Sequence, residues 1–160
     1  MPYLIRHADA GNKHDWAGPD DARPLSFPGQ LEAHSLLGRL RDYPITRILT
    51  SPTIRCQQTV TPLSQRRAVP TELAEDLAVD APAARLLALV TDPQLQTAVL
   101  CTHGEQISQL MRQLAAGGVP LSEPLGWDKG STWMLATSDG VVTTARYLAP
   151  LQLKDLAGIY

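Results

Sequence analysis

The sequence has only two cysteines, Cys56 and Cys101, far apart and in no CxxC pair. That scarcity argues against a disulfide framework or a zinc site and makes a reducing cytoplasm the expected setting. There is no basic excess either, the formal net charge being -2. Binders of nucleic acid polymers or membrane surfaces normally need one, so neither partner is expected. No apolar run approaches a membrane span. The first residues, Met1-Pro2-Tyr3-Leu4-Ile5-Arg6-His7, lack the basic and apolar regions of a signal peptide. A Walker-type glycine loop is missing, which sets aside triphosphate hydrolysis of that kind. Lysine is scarce as well, 3 Lys against 11 Arg. Arginine suits planar, bidentate recognition of phosphate or carboxylate, so the positions of the arginines matter more than the total.

What is present is globular composition, 44% hydrophobic and 19% charged over 160 residues, enough for one domain spanning 1–160. Tyr3-Leu4-Ile5 reads as a buried strand that delivers Arg6 and His7 at its end. Residues 9–24 form a polar loop, and Leu31, Leu36, Leu37 and Leu40 share one face of a helix over 28–42. A second strand over 45–50 leads to Ser51-Pro52, read as an N-cap and first helical residue of a helix reaching Ser64. A short strand over 69–73, a helix over 83–90, a strand over 98–102 and a helix over 105–116 follow. Alternation around Ser138-Asp139-Gly140 predicts a terminal hairpin. Strands alternating with helices predict an α/β three-layer sandwich with a mainly parallel sheet, whose ligands sit at the carboxyl ends of the strands.

At that edge converge Arg6 and His7 from the first strand, Arg55 from the following helix and His103 after the 98–102 strand. Two imidazoles and several guanidiniums make a pocket for a phosphoryl group, in which a neutral histidine nitrogen attacks phosphorus. The segments that carry these residues resemble the histidine phosphatase superfamily, the phosphoglycerate-mutase-like group. They are Leu4-Ile5-Arg6-His7-Ala8-Asp9-Ala10, then Ser51-Pro52-Thr53-Ile54-Arg55-Cys56-Gln57-Gln58-Thr59, then Thr102-His103-Gly104. Arg23-Pro24-Leu25 and the short length look most like its small SixA-type phosphohistidine phosphatases. Lys129-Gly130-Ser131-Thr132-Trp133 resembles instead the phosphatase-like domain fused behind Nudix domains in bacterial MutT proteins, although no Nudix segment is expected ahead of the first strand.

The resemblance implies His7 as the nucleophile of a phosphohistidine intermediate and His103 as the second pocket histidine. It makes Arg6, Arg55 and Arg23 phosphate ligands, and it implies no cofactor and no metal. Leu73-Ala74-Glu75 matches the family's acid segment, which makes Glu75, or neighbouring Asp76, the proton donor. The substrate is then a protein phosphohistidine or a small phosphorylated metabolite. A nucleotide or dinucleoside-polyphosphate phosphatase and a non-catalytic phospho-ligand module stay open beside it. His7, Asp9, His14 and Asp15 also raise a metal site, but their spacing fits no compact zinc template. His34 is read as structural or solvent-facing, and Cys101 as a buried small hydrophobe. Trp16, Trp127 and Trp133 suit a substrate mouth, core packing or a partner surface equally well.

Overall fold

The computed structural model describes residues 1–123 and 125–151. Its strands are β1 (Tyr3–Arg6), β2 (Arg47–Thr50), β3 (Thr71–Leu73), β4 (Ala98–Thr102), β5 (Thr132–Ser138) and β6 (Val141–Leu148). Its helices are α1 (Phe27–Arg39), α2 (Ile54–Arg67), α3 (Ala83–Val90) and α4 (Gly104–Ala116). The strands form one sheet in the order β3-β2-β4-β1-β5-β6, with β5 antiparallel to both of its neighbours and every other pair parallel. The expected α/β architecture with its mainly parallel sheet is therefore present.

Strand side chains alternate between the two faces of the sheet. Leu4, Leu49 and Leu100 pack with Leu86 and Val90 of α3 and Ile107 and Leu110 of α4. Tyr3, Ile5, Ile48, Val99 and Cys101 pack with Leu36 of α1 and Val60 and Leu63 of α2. Two cores thus clamp the central strands, and β1 and β4 are buried along nearly their whole length. The polar residues that follow them leave the sheet at one edge. The terminal hairpin turns at Asp139 and Gly140, whose positive φ angles of 50° and 77° match the right-handed strand twist.

One local expectation is corrected. Ser51 is not an N-cap and Pro52 is not the first helical residue, because α2 starts at Ile54 with Thr53 in the capping position. The Ser51 hydroxyl is engaged elsewhere, 2.9 Å from Nε2 of His103. It also accepts the Thr53 N–H at 3.4 Å, which turns the chain ahead of the helix rather than capping it. Among the described residues no helix is long and apolar enough to cross a membrane.

Candidate active site

The α2 segment acts as a peg board on which the loops at this edge hang. Thr59 Oγ1 accepts the Ala8 N–H at 2.9 Å, fixing the chain directly after His7. Gln58 Oε1 accepts the Leu25 N–H at 2.8 Å, fixing the far end of the 9–24 loop. Arg55 reaches the middle of that loop, with Nη1 donating to the Asp20 carbonyl at 2.9 Å and Nη2 to its carboxylate at 3.1 Å. Three nearby positions on one helix thereby set the path of the whole loop from Ala8 to Leu25. Gly29 lets α1 approach the same place, since a Cβ there would lie 1.9 Å from the Asp9 carbonyl oxygen.

His7 is buried, and its Nδ1 lies 2.8 Å from the Ala8 carbonyl. A carbonyl only accepts, so the Nδ1 proton is fixed and the Nε2 lone pair is left to react. Burial pushes the His7 pKa down to about 4, aided by His103 and Arg55 and opposed by Cys56 and the Ala8 carbonyl. At neutral pH the ring is therefore uncharged. The His103 ring lies edge-on to it, 5.3 Å between centroids. His103 is held by Ser51 and has Cys56 Sγ at 3.7 Å.

Arg6 donates from Nη1 to the Trp127 carbonyl at 2.7 Å, and its guanidinium lies over the start of α4. A Cβ at Gly104 would sit 2.7 Å from Arg6 Cζ, so only glycine admits the arginine there. Arg23 donates to the Ala10 carbonyl at 2.7 Å and pairs with Asp20 at 3.2 Å. Burial works against the Asp20 carboxylate, but Arg55 and Arg23 hold its pKa below the ordinary value. The Nε atoms of Arg6 and Arg55 are buried without a hydrogen-bond partner. Buried donors of this kind call for an acceptor.

Arg6, His7, Arg23, Arg55 and His103 line a single cavity of about 550 Å³, together with Lys13 and Lys129. Glu75 does not line it. It starts a 3-10 turn and lines a neighbouring cleft of about 380 Å³ with Ser51 and Asp80, Val79 being common to both. Asp76 pairs with Arg85 at 3.4 Å. Asp9 binds Lys129 at 3.0 Å and the Ser26 hydroxyl at 2.5 Å, and mainly that hydroxyl lowers its pKa to about 2. His14 sits on an exposed 3-10 turn, and among the described residues no three His, Cys, Asp or Glu side chains gather as a metal ion requires.

Sequence reasoning missed Asp20, Ser51 as a partner of His103, and the Trp127 carbonyl. Only Asp20 carried a signal, its i,i+3 spacing to Arg23. Trp133 is fully buried, Trp127 is half-buried beneath Arg112, and Trp16 is exposed.

The sheet and its edge recur in known proteins. The protein histidine phosphatase SixA in complex with tungstate superposes with a TM-score of 0.73, covering 99% of both chains at 17% identity. The alpha-ribazole phosphatase of Shigella flexneri superposes at 0.66, covering 89% of this chain and 93% of that one at 16% identity. These likenesses concern the fold. In sequence, the 8-oxo-(d)GTP phosphatase of Mycolicibacterium smegmatis is 33% identical over 152 residues, 92% of this chain. This chain spans about half of that relative, 47% of its length. The model of the histidine phosphatase superfamily (branch 1) matches residues 2–78, which carry Arg6, His7, Arg23 and Arg55. With these residues and His103 lining one cavity on the matching fold, the chain is similar to the histidine phosphatase superfamily in sequence over residues 2–78 and in fold throughout.

Proposed function

We propose that residues 1–160 act as one phosphatase domain that hydrolyses phosphoryl groups through a covalent intermediate on His7. The observation that carries this reading is the His7 ring, neutral, with its Nδ1 proton on the Ala8 carbonyl and its Nε2 lone pair left to react. That nitrogen attacks phosphorus, and the bond to the leaving group breaks with its electron pair departing on the leaving atom. Arg6, Arg55 and Arg23 bind the phosphoryl oxygens, and His103 supports the transferring group as charge redistributes. Water then attacks the phosphohistidine, the P–N bond breaks, and phosphate leaves with His7 neutral again. Glu75, across Val79 from the phosphoryl pocket, is the residue to protonate a poor leaving group. Phosphohistidines and phosphoanhydrides have better leaving groups and need that acid least. The substrate is accordingly a phosphohistidine on a protein or a small phosphorylated metabolite. The reaction takes place in the cytoplasm and requires neither metal nor cofactor.

A second reading, nucleotide hydrolysis, draws on the Mycolicibacterium smegmatis relative, named for 8-oxo-(d)GTP. The test of the shared chemistry is hydrolysis of an aryl phosphate, blocked by vanadate and unaffected by a chelator. His7→Ala is expected to lower turnover at least about a thousandfold. Substantial residual hydrolysis would remove His7 as the nucleophile, and phosphate binding without any turnover would leave only a binding module.

A further inference from the structure

We infer that the loop after β1 builds a second compartment for an aromatic base, so that the substrate is a nucleoside polyphosphate held between Trp16 and His7. The inference rests on the phosphatase reading of His7 and adds the class of substrate. A cavity of about 310 Å³, lined by Asn12, Asp15, Trp16 and Leu25 among others, adjoins the phosphoryl cavity. Gly11, Asn12 and Arg23 line both, so the two cavities meet along this stretch of the loop. Together they fall within the size range of small-molecule sites.

Trp16 is held as a platform. Its Nε1 donates to the Pro19 carbonyl at 2.9 Å, which satisfies the indole N–H and fixes the ring. Gly18 braces it so closely that a Cβ there would lie 3.1 Å from Nε1 and 3.2 Å from Cε2. The side chain nonetheless remains 38% exposed, whereas Trp133 is 0% exposed. An exposed ring whose N–H is already satisfied is suited to stacking against a base. Asn12, whose Oδ1 is held by the His14 N–H, and Asp15 bring a carboxamide and a carboxylate to the same wall, able to meet donors and acceptors on a base edge.

Charge in the phosphoryl cavity favours more than one phosphate. Arg6, Arg23 and Arg55 suffice for one phosphoryl group, yet Lys13 lines the same cavity, as does Lys129 in its pair with Asp9. A protein phosphohistidine carries its leaving ring directly on phosphorus, opposite the attacking His7 nitrogen. A nucleoside polyphosphate places its base several bonds further out.

The experiment has a binding arm and a turnover arm. His7→Ala protein is titrated with GTP and with inorganic tripolyphosphate, followed by tryptophan fluorescence and calorimetry. GTP is expected to bind at least about tenfold more tightly. Adding Trp16→Ala should abolish that advantage, and Trp16→Phe should retain most of it. Equal affinity for the two ligands, or an advantage that survives Trp16→Ala, overturns the base compartment. In the turnover arm, Trp16→Ala should lower the ratio of GTP to acetyl phosphate kcat/KM about tenfold. An unchanged ratio also overturns the inference. Failure of the His7 reading is separately visible, as wild-type protein that hydrolyses neither compound, and the binding arm still decides the base compartment.

Discussion

Where β1, β4 and α2 meet, His7, Arg55 and His103 are 7%, 3% and 3% exposed, whereas every residue from Gly11 to Asp21 is exposed. Both regions line the same phosphoryl cavity. The floor is held by strand pairing, two cores and hydrogen bonds that leave few alternatives. The rim is held by two 3-10 turns and a few side-chain contacts, chiefly those of Asp20. The difference separates two tasks. Groups aimed at a reacting phosphorus benefit from rigid placement and exclusion of water. Groups that recognise the rest of a substrate tolerate, and use, a more adaptable loop.

The largest test of this contrast is acid. His7 has a folded pKa of about 4, below its unfolded value near 6.5, so at intermediate pH the unfolded chain binds the extra proton. Stability from this group is complete above pH 6.5 and is lost as the pH falls toward 4, about 3 kcal/mol in all. Urea titrations at pH 7 and pH 4 should show that loss in the wild type and a curve flatter by that amount in His7→Gln. The same pKa places the acid limb of kcat/KM near pH 4, as measured on an aryl phosphate. Equal slopes in the two proteins would mean that the floor is open to water, like the rim.

Next in size is Gly104→Ala. The added methyl would displace the Arg6 guanidinium, while α4 itself would gain a better helix former. Turnover is expected to fall about a hundredfold with melting temperature unchanged or higher. An unimpaired Gly104→Ala enzyme would show that Arg6 can take another position, and the floor would lose its claim to rigidity. Thr59→Val strikes the floor from beneath by leaving the buried Ala8 N–H without its acceptor. The expected loss is about 1–3 kcal/mol of stability, read by urea denaturation. A variant as stable as wild type would mean that the His7 loop does not depend on α2.

The same contrast explains what could be read from sequence. The floor was legible because strand ends and helix starts are local patterns, and three of them delivered Arg6, His7, Arg55 and His103 to one edge. Even there the α2 boundary was misread: Ser51 reaches His103, 52 residues away, and turns the chain at Thr53 before the helix starts at Ile54. The rim was barely legible. The contact between Asp20 and Arg55 joins residues 35 positions apart and depends on how a turn-rich loop crosses the helix end. The separation of Glu75 from the cavity of His7 likewise depends on the path of a 3-10 turn beyond β3. No hydrophobic period encodes such paths.

The smallest effect is the one that divides floor from rim most sharply. In the free protein the Asp20 carboxylate occupies Arg55 and Arg23, the guanidiniums proposed to receive the phosphoryl oxygens. An incoming phosphate must therefore share these guanidiniums with a resident anion or displace it. Asp20→Asn removes that anion but keeps the shape of the side chain and the backbone carbonyl that accepts from Arg55. If the rim is adaptable, inorganic phosphate should inhibit the variant several-fold more strongly, the size of effect expected of a partly exposed ion pair. Turnover should change less than the inhibition constant, because His7, Arg6 and His103 are held by other elements. Weaker inhibition, with turnover falling in parallel, would instead make Asp20 the strut that aims Arg55, and the rim would then be as firmly built as the floor.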